Sequence, residues 1–145
     1  MQDNAIALSP APLFARFAVM IYELLLVTAV VFVASFIMVP VVGDMHAPWQ
    51  RHFYQAYILG ILFAYFSAFW LRSGQTLAMK TWRIRLVNQT GGRISFKQAV
   101  LRFTFAWAGL LLAGLGFWWA IFDRDRQYLH DRLAKTRLVR VPRAT

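Results

Sequence analysis

Arg16 to Val42 reads RFAVMIYELLLVTAVVFVASFIMVPVV. From Phe17 to about Val39 this stretch is almost wholly apolar. At about 1.5 Å per residue it covers roughly 34 Å, enough for the hydrocarbon core of a bilayer. Pro40 and Gly43 are stop signals at its end. Inside the span lies Glu23, the only glutamate in the chain. An ionised group at the centre of a membrane helix costs roughly 2.5–3.5 kcal/mol on insertion scales, so Glu23 needs a partner or a water-filled space. Arg16 stands seven residues earlier, and steps of about 100° return the helix to nearly the same face two turns along. The stretch therefore predicts an integral membrane fold whose first helix carries an Arg16–Glu23 pair on one stripe. Tyr22, Thr28 and Ser35 add hydroxyls that can bond to carbonyls of their own helix or of a neighbour.

Composition supports the same solvent. Of 145 residues, 59% are hydrophobic and 15% charged, against about 25% charged in a typical soluble domain. The absence of cysteine excludes disulfides, thiolate metal sites and thiol nucleophiles. A net charge of +10 would suggest nucleic-acid binding in a soluble protein. Here the charge flanks apolar spans as the positive-inside rule expects, so no nucleic-acid partner is predicted. Met1 to Phe14 holds Asp3 and no basic residue, unlike a secretory signal. Residues 1–12 are read as a flexible leader and residues 13–141 as a single transmembrane domain.

Outward from the first span, Gly43 to His52 reads as a loop, with Trp49 as an interfacial anchor and His46 and His52 as solvated side chains rather than metal ligands. Phe53 to Leu71 is a second span. Arg72 to Arg102 then holds seven basic residues and no acidic one, which places this loop in the cytoplasm. Within it TWRIRLV alternates with a period of two, NQTGG reads as a turn and RISF resumes the alternation. Trp82 to Phe96 is thus expected to form a β-hairpin. Lying on the membrane surface, it would bring Lys80, Arg83, Arg85 and Arg93 to anionic headgroups, at about 1 kcal/mol per basic residue.

The third apolar segment, Phe103 to Phe122, has basic residues on both flanks, so both flanks ask to be cytoplasmic. Either it is re-entrant, bending near Gly114 and Gly116, or it is a straight helix with an exported tail. The tail suggests a short helix over Gln127 to Ala134, then an extended piece at Leu138, Val139 and Val141 that could join the hairpin. The expected fold is an all-α integral membrane protein of two full transmembrane helices plus this third, straight or re-entrant segment, with a small cytoplasmic β-hairpin.

Several pieces together resemble the RDD family of small bacterial multi-span membrane proteins. They are Arg16 opening the first span, Glu23 inside it, GQTLAMK at Gly74 to Lys80, NQTGGRISFKQAVLR at Asn88 to Arg102, and LHDRLAKT at Leu129 to Thr136. The likeness runs from Leu13 to Val141. The family is named for one arginine and two aspartates. The resemblance matches Arg16 to the arginine and Asp131 to the second aspartate, and puts Glu23 at the first. Ala78 stands where the family commonly has glycine. The resemblance implies a protein of the bacterial inner membrane, with transport proposed for the family.

The expected function is therefore transport of a cation, a proton or another small solute, with Arg16, Glu23 and Asp131 as the ion-pair site. Opening and closing the Arg16–Glu23 pairing would couple proton release to cation binding. The alternative is an accessory or assembly protein that binds another membrane protein and anionic lipid, its ion pair serving only to orient the first helix. Three spans are few for a pathway, so a homo-oligomer or a second membrane protein is the expected partner. No Gly-rich phosphate loop, Ser-His-Asp set or paired-carboxylate site is present, and the His130–Asp131 pair is too sparse for a metal motif. No enzymatic activity, catalytic residue, metal or cofactor is expected.

Overall fold

Leu13–Val42 forms α1, a single helix of 30 residues whose most apolar window is 6% buried. Its outward face, with Phe17, Leu24, Leu25, Phe32 and Phe36 exposed, suits lipid rather than water. The computed structural model describes residues 9–43, 46–112, 114–125 and 127–142. The helix runs through Pro40 and stops at Gly43, whose φ is 69°. Proline in the last turn removes one N–H without ending the helix, so the stop falls a few residues later than expected.

Pro48–Arg72 forms α2, so Trp49, Arg51 and His52 lie in its first turns instead of in a loop. Proline at the first helical position is compatible with helix entry. Both α1 and α2 are long and apolar enough to cross a membrane. They run antiparallel and are joined by three tyrosines of α2. Tyr54 shares a 2.5 Å hydrogen bond with Ser35, Tyr57 donates to the Ala34 carbonyl at 3.4 Å, and Tyr65 donates to Glu23 at 3.1 Å.

After α2 the chain turns at Gly74, φ 69°, where an added Cβ would lie 2.6 Å from the Leu86 carbonyl oxygen. Only glycine permits that approach. Leu77–Thr81 forms the short helix α3, capped by Thr76, whose hydroxyl accepts from the Met79 N–H at 3.3 Å. Ile84–Asn88 forms β1.

The small sheet is present, but its strands are not a hairpin. β1 pairs antiparallel with β2, Thr136–Arg140, with Leu86 opposite Leu138. Residues 89–92 do turn, held by the Asn88 side chain accepting from Gly92 N–H at 2.8 Å, but they lead into a helix. Ser95 and Gln98 form a reciprocal capping box that starts α4, Phe96–Leu111. Two satisfied N-terminal donors favour helix over a second strand. The leader expected at residues 1–12 falls mostly outside the described residues. Its last part runs along the free edge of β2, with Ala11 N–H donating to Leu138 O at 3.1 Å and Arg140 N–H to Ser9 O at 3.0 Å. A two-stranded sheet alone is marginal. This one is covered by the core of Trp70, Met79, Ile94 and Ala99.

The third apolar segment is broken. Leu115–Phe122 forms α5, at 97° to α4, and Gly114 has φ 74°. The two helices touch where Gly109 faces Gly116, and a Cβ on Gly109 would stand 3.2 Å from the Gly116 Cα. Leu129–Leu133 forms α6, close to the short helix expected there, and leads into β2. Because β1 precedes α4 and β2 follows α6, the pairing of the strands returns the chain to the end of the molecule from which α4 departs. The described part of the N-terminus lies at that end too.

Candidate functional site

At the sheet end, α4 places Arg102 two turns inside its capped start, on the face that carries Ala99 and Gly109. Arg102 is 4% exposed and Asp131 fully buried, and the two form an ion pair. The Arg102 guanidinium also donates to Thr136 Oγ1 at 3.2 Å and lies 5.1 Å from the Trp70 ring centroid. One side chain thus joins α2, α4, α6 and β2. Charges this deep are tolerated when paired and further hydrogen-bonded.

His130 Nε2 lies 3.8 Å from Asp131 Oδ1. The ring stacks on Tyr128, with centroids 5.3 Å apart, and meets the edge of Phe117. Burial and the nearby Arg102 hold the imidazole well below its ordinary pKa, so it is neutral at pH 7. Burial raises the Tyr128 phenol, a shift opposed by Arg16 and Arg102. Its hydroxyl donates to Met20 Sδ at 3.1 Å, tying the α6 turn to α1.

Glu23 is held from the other side. Its carboxylate accepts from Thr76 Oγ1 at 2.5 Å and from Tyr65 Oη at 3.1 Å. Thr76 therefore does two jobs, capping α3 and fixing Glu23, and Gln75 beside it donates to the Ile84 carbonyl at 2.8 Å. The GQTLAMK segment is the joint that carries α2 into the sheet while holding the first-helix acid.

Arg16, Glu23, Arg102, His130 and Tyr128 all line one cavity of about 350 Å³, whose remaining walls are largely apolar and include Leu62, Phe66, Trp107 and Leu110. The expected site residues are thus distributed. Arg16 and Glu23 face a common cavity, and Asp131 lies beneath it on Arg102. Glu23 makes its hydrogen bonds to Tyr65 and Thr76. Lys80, Arg83, Arg85 and Arg93 are all exposed, and Arg83 adopts φ 54°, where its carbonyl accepts from Val141 N–H at 2.7 Å. Among the described residues, no group of three His, Asp or Glu side chains is arranged to hold a metal ion.

Arg102, Tyr65 and Thr76 were not singled out from sequence. In the sequence Arg102 belongs to the basic run that marks topology. The Ser95–Gln98 capping signature was the available signal, since a helix starting there puts Arg102 on its buried face.

Two apolar crossing helices, a bent third pair and charged groups buried at one end define a small helical membrane protein. The sequence profile of the RDD family matches residues 10–135, and the chain belongs to that family. It is also 30% identical over 81 residues to a Rickettsia prowazekii (strain Madrid E) protein described as uncharacterized protein RP437, covering 55% of this chain. The matched stretch spans 44% of that relative's length. No solved structure matches.

Proposed function

We propose that the protein transports a small solute, a cation or a proton, across the bacterial inner membrane, with Glu23 as the group that binds it. The supporting observation is the position of Glu23. It is the only glutamate in the chain, lies in a helix able to cross the bilayer, and faces a cavity that also receives Arg16 and Arg102. An intramembrane carboxylate bordering a cavity is a default position for an ion or proton relay. Arg16, two turns before Glu23, competes with the incoming cation for the carboxylate. Tyr65 and Thr76 hold the acid in place between visits.

In this reading the bent α4–α5 pair is re-entrant, and the sheet end with the loop over residues 72–102 is cytoplasmic, as its seven basic residues favour. Lys80, Arg83, Arg85 and Arg93 then meet anionic headgroups. Two crossing helices enclose no pathway alone, so the working form is a homo-oligomer whose cavities are closed by a second copy.

Purified protein in sealed vesicles with an imposed cation or proton gradient tests this directly. Flux is expected from the wild type and is lost in Glu23→Gln, while Thr76→Val retains flux with a shifted pH profile. Absence of flux from the wild type, or full flux from Glu23→Gln, would overturn the reading.

A further inference from the structure

A second cavity, of about 530 Å³, opens on the opposite side of Arg16 from the apolar one. Among the described residues, its charged lining is Arg16 from the first turn of α1, Arg124 and Asp125 from the α5–α6 connection, and Arg137 from β2. Arg16 and Leu138 line both cavities and so form the wall between them. Arg16 is 2% exposed, Arg124 is exposed and Arg137 half-buried.

Among the described residues that line this cavity, three carry guanidiniums and one a carboxylate. Asp125 is also drawn outward, its Oδ2 lying 3.7 Å from Arg132 Nη2. Arg137 presents a buried Nε without a hydrogen-bond partner. Buried donors are normally satisfied, so the unmet Nε marks the Arg137 guanidinium as short of an acceptor. Planar guanidiniums pair bidentately with phosphate or carboxylate but not with a halide, and a tetrahedral phosphate can be shared between two arginines that approach from different elements. The volume lies in the range of small-molecule sites and exceeds what inorganic phosphate alone fills.

We propose that this cavity binds a phosphate ester through Arg124 and Arg137, with Arg16 in the wall that parts it from the apolar cavity and from Glu23. The phosphate group is either the headgroup of an anionic phospholipid, whose chains lie against the neighbouring apolar surface, or part of a soluble ester. Lys80, Arg83, Arg85 and Arg93 do not line the cavity, and Pro10 and Pro12 line one side of it.

The test measures thermal protection of the full chain in two arms. In zwitterionic detergent, glycerol 1-phosphate is titrated; in nanodiscs, phosphatidylglycerol is substituted stepwise for phosphatidylcholine. Saturable protection in the first arm identifies a soluble ester, and protection in the second alone identifies a lipid headgroup. In the arm that responds, Arg124→Gln and Arg137→Gln each weaken the midpoint about tenfold. Arg137→Lys recovers part of the loss, and the surface variant K97Q, at an exposed position outside the cavity lining, binds like the wild type. Arg124 is exposed, so R124Q stays informative even where R137Q folds poorly. No saturable protection in either arm overturns the proposal, as does wild-type affinity in R124Q and R137Q, or an equal loss in K97Q.

Discussion

Arg102 of α4 and Asp131 of α6 form an ion pair with side-chain exposures of 5% and 0%, the deepest pairing of opposite charges among the described residues. It holds the tail against the helical bundle and sets the floor of the cavity that contains Glu23.

Asp131→Asn leaves the Arg102 guanidinium buried without a counter-charge, and Thr136 and Trp70 do not replace that charge. The expected cost is about 3–5 kcal/mol, the usual penalty for breaking a buried pair from one side. The double variant R102M/D131L removes both charges and is expected to be markedly more stable than D131N. Denaturant unfolding of the three proteins in one detergent checks the order.

His130 gives stability a defined pH dependence. Its folded-state pKa is depressed by burial and by Arg102, so below the ordinary histidine value of about 6.5 the unfolded chain binds the extra proton. The contribution of a neutral His130 is complete above that value and is lost as pH falls towards the folded-state pKa. Thermal unfolding between about pH 8 and pH 5 is expected to show a falling midpoint on the acid side. His130→Phe, which keeps a ring against Tyr128 and Phe117, is expected to flatten that slope.

The contact between Gly109 and Gly116 sets how closely α5 folds back on α4. A Cβ on Gly116 would lie 3.3 Å from the Gly109 Cα and 3.9 Å from the Leu129 Cβ, so Gly116→Val has to push backbone from backbone. Overpacking of this kind costs about 1–3 kcal/mol. The change is expected to lower the unfolding midpoint while Gly60→Val, at a position with nothing within 4 Å of an added Cβ, has a much smaller effect.

Much of this arrangement was legible in local sequence. The two crossing helices follow from length and hydropathy, while basic charge on both flanks of the third apolar segment left a bend near Gly114 and a straight helix both open. The extended piece expected at Leu138 and Val139 does pair with β1, but local sequence did not show that it takes the place of the hairpin's second strand. Residues 82–87 and 93–96 both alternate, but Ser95 and Gln98 commit the second stretch to a helix start, and β1 pairs instead with Thr136–Arg140. That choice is settled by tertiary packing of Leu86 and Leu138, which no local pattern displays. Arg102 shows the same limit. Its charge reads as topology until the helix phase turns it inward, and its partner lies beyond another helix.

The most direct test of this architecture is sidedness, because Arg102 meets Asp131 only if α4 and α5 return to the end they left. The chain contains no cysteine, so single cysteines can be placed at Gln89, Arg140 and Val41, all exposed, and labelled with a membrane-impermeant maleimide in oriented vesicles. Gln89→Cys and Arg140→Cys are expected to react from one side and Val41→Cys from the other. Labelling of Gln89→Cys and Arg140→Cys from opposite sides would contradict the β1–β2 pairing, the Arg102–Asp131 ion pair and the site built on them.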